Sequence, residues 1–180
     1  ARKNLPKTDV VFISLGSAFY WWLKSENCVV NNCHKQPAML FEQNFASVAE
    51  VKTVLQNTVD LLKTANPKVQ IVFTISPIRH LKHGSAGNQL SKSTLIVAAQ
   101  ELAASAENVH YFPSYELLLD DLRDYRFYEE DLIHPNKQAI DYIWEKFSAA
   151  FFTPKTVALN AQISGIQNML NHRLFVANTA

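Results

Sequence analysis

Short apolar runs rich in β-branched residues alternate along this chain with longer stretches whose apolar residues recur every three or four positions. The run from Asp9 to Leu15, closed by Gly16, reads as a buried strand. Ser47 and Glu50 form a capping box, and Val51, Val54, Leu55, Thr58, Leu61 and Leu62 trace one helical face to about Ala65, where Asn66-Pro67 stops it. Val69 to Ile75 is the second buried strand, ended by Ser76-Pro77, and a polar loop through Gly84 and Gly87 precedes a helix over about 90–105. Val109 to Phe112 is a third strand, after which Ser114 caps a helix to about Leu122. A helix over 136–151 turns Ile140, Ile143, Trp144, Phe147 and Phe151 inward, and Thr153-Pro154 opens a last helix to about Leu170. Residues 17–45 show no clear periodicity, although Phe19, Tyr20, Trp21 and Trp22 stand in succession.

Strands separated by helices of this length imply right-handed crossovers and a parallel sheet, with ligands gathered at the carboxyl ends of the strands. The loops at Gly16-Ser17, at Ser76 to His80 and around His134 follow strands directly or after one short helix, so they can converge. The main domain is expected over 1–152, with 153–180 a carboxyl-terminal helix and tail packing on it.

Composition narrows the classes. The chain has 180 residues, 48% hydrophobic and 18% charged, which suits one globular domain with a sizeable core. Its net charge is +1 and its 17 basic residues are scattered, which argues against a nucleic-acid partner. No apolar stretch approaches the roughly 18 residues of a membrane span. Cys28 and Cys33 are too few for a disulfide framework and fit a reducing, cytoplasmic compartment. His80 and His83 have no carboxylate nearby in sequence, and the cysteines with His34 lack a paired Cys-x-x-Cys, so no metal or cofactor is expected.

The densest chemistry lies in Glu129-Glu130-Asp131-Leu132-Ile133-His134-Pro135-Asn136. A hydroxyl becomes a good nucleophile when an imidazole takes its proton, and the imidazole works best when a third group fixes its tautomer. Asp131 can do that for His134, while Pro135 pushes His134 to extended angles at a helix entrance. The alternative is a first-turn acid beside a surface histidine. Arg79 and Lys82 can bind an anionic or sugar-bearing group, and Arg126 and Tyr128 can order the Asp-His loop or serve in ordinary ion pairs. The four aromatics could line a carbohydrate or acyl pocket, or pack as core. Ser17 and Ser76, each at a strand end, read as turn or cap residues.

These segments together resemble a known family. Leu15-Gly16-Ser17-Ala18, Asn32-Cys33-His34-Lys35-Gln36-Pro37-Ala38, the run from Phe73 to Lys82, Tyr111-Phe112-Pro113-Ser114-Tyr115-Glu116, Leu122 to Tyr128, the Asp131 to His134 pair and Leu170-Asn171-His172-Arg173 resemble the GSCFA family. GSCFA proteins are similar to SGNH (GDSL-type) hydrolases. The resemblance implies a flavodoxin-like three-layer α/β/α fold and a bacterial serine esterase cleaving acyl esters, acetyl esters of carbohydrates among them, with His134 as base and Asp131 as its partner.

The family's naming Gly-Ser-Cys-Phe-Ala motif carries the expected nucleophile, and by the resemblance this chain begins after it. Gly16-Ser17-Ala18-Phe19 falls on the later SGNH block Gly-x-Asn-Asp, so Ala18 stands where an oxyanion-holding Asn is usual. Asn32, His34 and the backbone N–H near Gly16 are candidate replacements, with Arg79 and His80 as further substrate-binding residues; Asn32 and His34 equally suit bracing the 17–45 segment. By the same resemblance strand 9–15 lacks its usual neighbour, so its edge is expected to be covered by a separate amino-terminal piece, by earlier residues of the same polypeptide, or by a homodimer. An acyltransferase would use the same residues, and a non-catalytic binding module is the competing class.

Overall fold

The computed structural model describes residues 4–30, 32–33 and 35–171. Along them come β1 (Val10–Leu15), β2 (Phe19–Leu23), β3 (Cys28–Val30), β4 (Phe41–Phe45), α1 (Val48–Ala65), β5 (Gln70–Ile75), α2 (Gly84–Ser105) and β6 (Val109–Phe112). A helical turn α3 (Ser114–Glu116) then continues as a π-helix (Leu117–Leu122), followed by α4 (Lys137–Phe151) and α5 (Pro154–Asn171). Two compact units result, Ala1–Ala139 and Ile140–Ala180. No helix among the described residues is long and apolar enough to cross a membrane.

The first unit is a mixed α/β fold around a parallel sheet in the order β1-β5-β6, with Ile13 opposite Phe73 and Phe73 opposite Tyr111. Ile71, Phe73 and Ile75 bury one face of β5 against Val51, Leu55 and Val59 of α1 and against Leu95, Ala98, Ala99 and Leu102 of α2. Small alanines on α2 let that helix approach the sheet closely, and removing this apolar area from water is the main stabilising term. The capping box at α1 has both arms: Ser47 Oγ accepts from Glu50 N at 3.3 Å, and Glu50 Oε2 accepts from Ser47 N at 2.8 Å.

Several expectations need correction. β1 is not buried on both sides: at the sheet edge its exposure alternates, with Val10 and Phe12 exposed. Residues 17–45 are not irregular. They hold a second, antiparallel sheet in the order β3-β2-β4, in which Trp21 lies opposite Val30 and Gln43. In α1 the buried stripe is Val51, Leu55 and Val59, whereas Val54 and Leu61 face solvent: the buried face is narrower than the apolar pattern. α2 begins at Gly84, so the supposed glycine loop is its first turn. Ser114 does not cap a helix; its hydroxyl donates to Ile75 O at 2.6 Å. In the second unit Ile140 and Trp144 are about half exposed at 53% and 52%, and the Trp144 ring stacks on Phe147 at 5.5 Å instead of turning inward.

Candidate active site

The site is assembled at the carboxyl ends of β1 and β5 and held by three loops. The first carries Asp131 and His134. Phe127 N and Asn136 N pin its two ends, to Asp124 O and Phe127 O, and Glu129 N donates to His134 O at 2.8 Å. Tyr128 and Pro135 form an isolated antiparallel bridge across it. Leu132 turns the chain at φ 56°, a left-handed conformation that leucine adopts only under such constraint. Asn136 Oδ1 accepts from Ala139 N at 3.1 Å, so the helix after the loop starts at Lys137 and Pro135 keeps His134 outside it.

Within this loop one Asp131 oxygen accepts Ile133 N at 2.8 Å and His134 N at 3.0 Å, while the other lies 2.6 Å from His134 Nδ1. Three donors on one carboxylate, the His134 backbone N–H foremost, pull its pKa from 3.8 to about 2. An ionised carboxylate only accepts, so in the neutral imidazole Nδ1 carries the proton and Nε2 presents its lone pair. The His134 side chain is 54% exposed, open to an approaching group. Among the described residues no hydroxyl is hydrogen-bonded to Nε2.

The second loop follows β5 and reaches both ways. Ser76 Oγ accepts from Ile78 N at 3.3 Å, making the turn expected of a serine before proline. Arg79 then braces the Asp-His loop: its backbone N donates to Ile133 O at 3.2 Å and its guanidinium to Leu132 O at 3.1 Å. The guanidinium also lies 5.8 and 5.7 Å from the ring centres of Tyr125 and Tyr128. A cleft of about 250 Å³ opens beside it, lined by Arg79, Asn88, Tyr115, Arg123 and Tyr128 among others.

His80 turns the other way, over the third loop at Gly16. Its backbone N donates to Asn88 Oδ1 at 2.8 Å, and a carbon added to Gly16 would meet His80 Nε2 at 3.6 Å. Burial, and then the neighbouring Lys92, hold the His80 pKa below the usual imidazole value, against a hydrogen bond with the Gly16 backbone. Ser17 Oγ accepts from Phe19 N at 3.0 Å, which is the turn role expected of it, and lies 3.3 Å from Ser91 Oγ. Asn32 sits on the loop after β3, and His34 lies outside the described residues.

The pattern of the GSCFA family matches residues 1–147. The chain belongs to the GSCFA family. No curated protein matches it.

In this GSCFA chain the structure thus gathers Asp131, His134 and Arg79 in one network and Gly16 with His80 in an adjoining one. Sequence reasoning missed the residue that joins the strand ends. Lys92, fully buried on α2, donates at 2.7 Å to Gly16 O and at 2.7 Å to Ser76 O, with its ammonium 5.6 Å from the Tyr115 ring centre. Burial lowers its pKa from 10.5 to about 8. Arg126 and Tyr128 contribute through the backbone as well: Asn136 Nδ2 donates to Arg126 O at 2.6 Å.

Proposed function

We propose that this GSCFA chain carries the acid-base half of an SGNH-type serine hydrolase acting on acyl esters, acetyl esters of carbohydrates included. The observation supporting this reading is the 2.6 Å contact of His134 Nδ1 with an Asp131 carboxylate already oriented by two backbone N–H groups. In this reading Nε2 takes the proton of a serine hydroxyl as its oxygen attacks the ester carbonyl. The same proton passes to the departing alkoxide, leaving an acyl-serine; Nε2 then takes a proton from water as the water oxygen attacks the acyl carbonyl, and returns it to the serine oxygen as the acyl group leaves as acid. Asp131 stays ionised and stabilises the imidazolium that forms in each half. The N–H near Gly16 and the side chain of Asn32 are the oxyanion donors, Arg79 is the positioning residue for the loop, and the serine comes from outside these 180 residues.

The test uses the natural full-length polypeptide, treated with a fluorophosphonate that labels activated serines and assayed on p-nitrophenyl acetate. Labelling of a serine outside residues 1–180, with turnover abolished in His134→Ala, supports the hydrolase. Absence of both labelling and turnover overturns it in favour of a binding module. Labelling with transfer to an added alcohol in preference to water points to an acyltransferase.

A further inference from the structure

A second cleft, of about 330 Å³, lies between the β2-β4 sheet and residues 80–83. Its floor is the face of the antiparallel sheet that carries Phe19, Trp21 and, opposite Trp21, Gln43. Its wall is basic: His80, Lys82 and His83 line it, and no lining residue is acidic. The Lys82 ammonium stands 4.2 Å from the Trp21 ring centre, and His83 stacks on Phe19 at 3.8 Å and 20°.

Those two contacts decide what the cleft can bind. Of the rings that line it, Trp21 is capped by Lys82 and Phe19 by His83, so those two faces are not open to a sugar ring or acyl chain. What remains is a cation steered by the indole, with no carboxylate partner among the described residues, beside imidazole and amide donors. The seat of His83 is specific. A side chain on Gly87, in the first turn of α2, would place its Cβ 2.5 Å from His83 Cβ, so the glycine at this position is what allows the stack.

We propose that this cleft binds a compact oxyanion, a carboxylate, phosphate or sulfate, borne by the substrate. Lys82 supplies the charge, Gln43 and His83 supply hydrogen bonds, and His80 links the cleft to Gly16 at the strand ends. Assigning the anion to a substrate rests on the hydrolase reading; binding of the anion does not.

The experiment is titration of the protein, labelled with 5-fluorotryptophan, with inorganic phosphate and with sulfate at constant ionic strength, against chloride. Fluorine NMR resolves the three tryptophans, and Trp21→Phe assigns the relevant signal. A saturable shift at Trp21, weakened about tenfold in Lys82→Met and retained in Lys82→Arg, is expected. Gly87→Ala, which keeps the charge but unseats His83, weakens it too. A shift that never saturates, or one equal in Lys82→Met and wild type, overturns the proposal. Because no turnover enters the titration, anion binding without esterase activity would sink only the hydrolase reading, and esterase activity without anion binding only this one.

Discussion

Lys92 makes a quantitative prediction. Its ammonium is buried and its pKa falls from 10.5 to about 8. Over the intervening window the unfolded chain holds a proton that the folded chain has released, so stability rises with pH. The neutral amine still has two N–H groups, enough for Gly16 O and Ser76 O. Between pH 7.5 and 9.5 this linkage amounts to about 2 kcal/mol, or about 1 kcal/mol where water screens the ammonium. Stopping at 9.5 keeps the tyrosines out of the measurement. Burial first of all raises the pKa of Tyr111, Tyr115 and Tyr128, so they subtract stability only above the ordinary tyrosine value of 10.0. Lys92→Met keeps the stem but takes the ammonium donor from two part-buried carbonyls, at up to about 1 kcal/mol each. It also removes the titration. Urea unfolding at five pH values, with slope and midpoint fitted together, should show the gap between wild type and Lys92→Met widening by about 1 to 2 kcal/mol from pH 7.5 to 9.5. Parallel curves across that range would refute the reasoning.

Four further outcomes follow from the geometry. Asp131→Asn should leave the circular dichroism unchanged while lowering ester turnover of the full-length polypeptide about 10⁴-fold, because an amide NH₂ facing Nδ1 favours the wrong tautomer; a loss under tenfold would remove Asp131 from the mechanism. The order it imparts to the loop is complete above pH 3.8 and lost as pH falls through about 2. The amide shifts of Ile133 and His134 should therefore titrate near 2, and a midpoint near 3.8 would contradict the hydrogen bonding described. Arg79→Met should speed amide exchange at 131–134 while leaving exchange in β5 unchanged, since it removes the donor to Leu132 O; uniform acceleration would mean a global effect instead. Phe73→Ala, at a fully buried central position, should cost about 3 to 5 kcal/mol in urea unfolding.

What was legible in the sequence was what the chain decides locally. Ser47 and Glu50 sit three positions apart and satisfy each other's backbone, so the start of α1 could be read directly. Asp131 and His134 share one turn, and their contact follows from the same nearness. Strands β5 and β6 were legible because tertiary packing agrees with their β-branched runs. The β2-β4 sheet was not, since Phe19 to Trp22 is aromatic at every position and hides the alternation that marks a strand. Two glycines disguised the first turn of α2: Gly84 enters it at φ 66°, and Gly87 leaves room for His83. Lys92 was invisible for another reason. Its acceptors lie 76 and 16 positions away, and nothing in a lysine beside Ser91 announces burial.

One short segment faces both clefts. Arg79 serves the Asp-His loop while His80, Lys82 and His83 serve the anion side, all within five consecutive residues hung between β5 and α2. The segment enters and leaves on rigid elements, so its side chains can be exchanged without disturbing the sheet. In the proposed reading, ligand preference and acid-base chemistry fall on separate stretches of chain. Residues 80–83 then decide what is taken, while Asp131, His134 and the arginine that steadies them decide what is done to it.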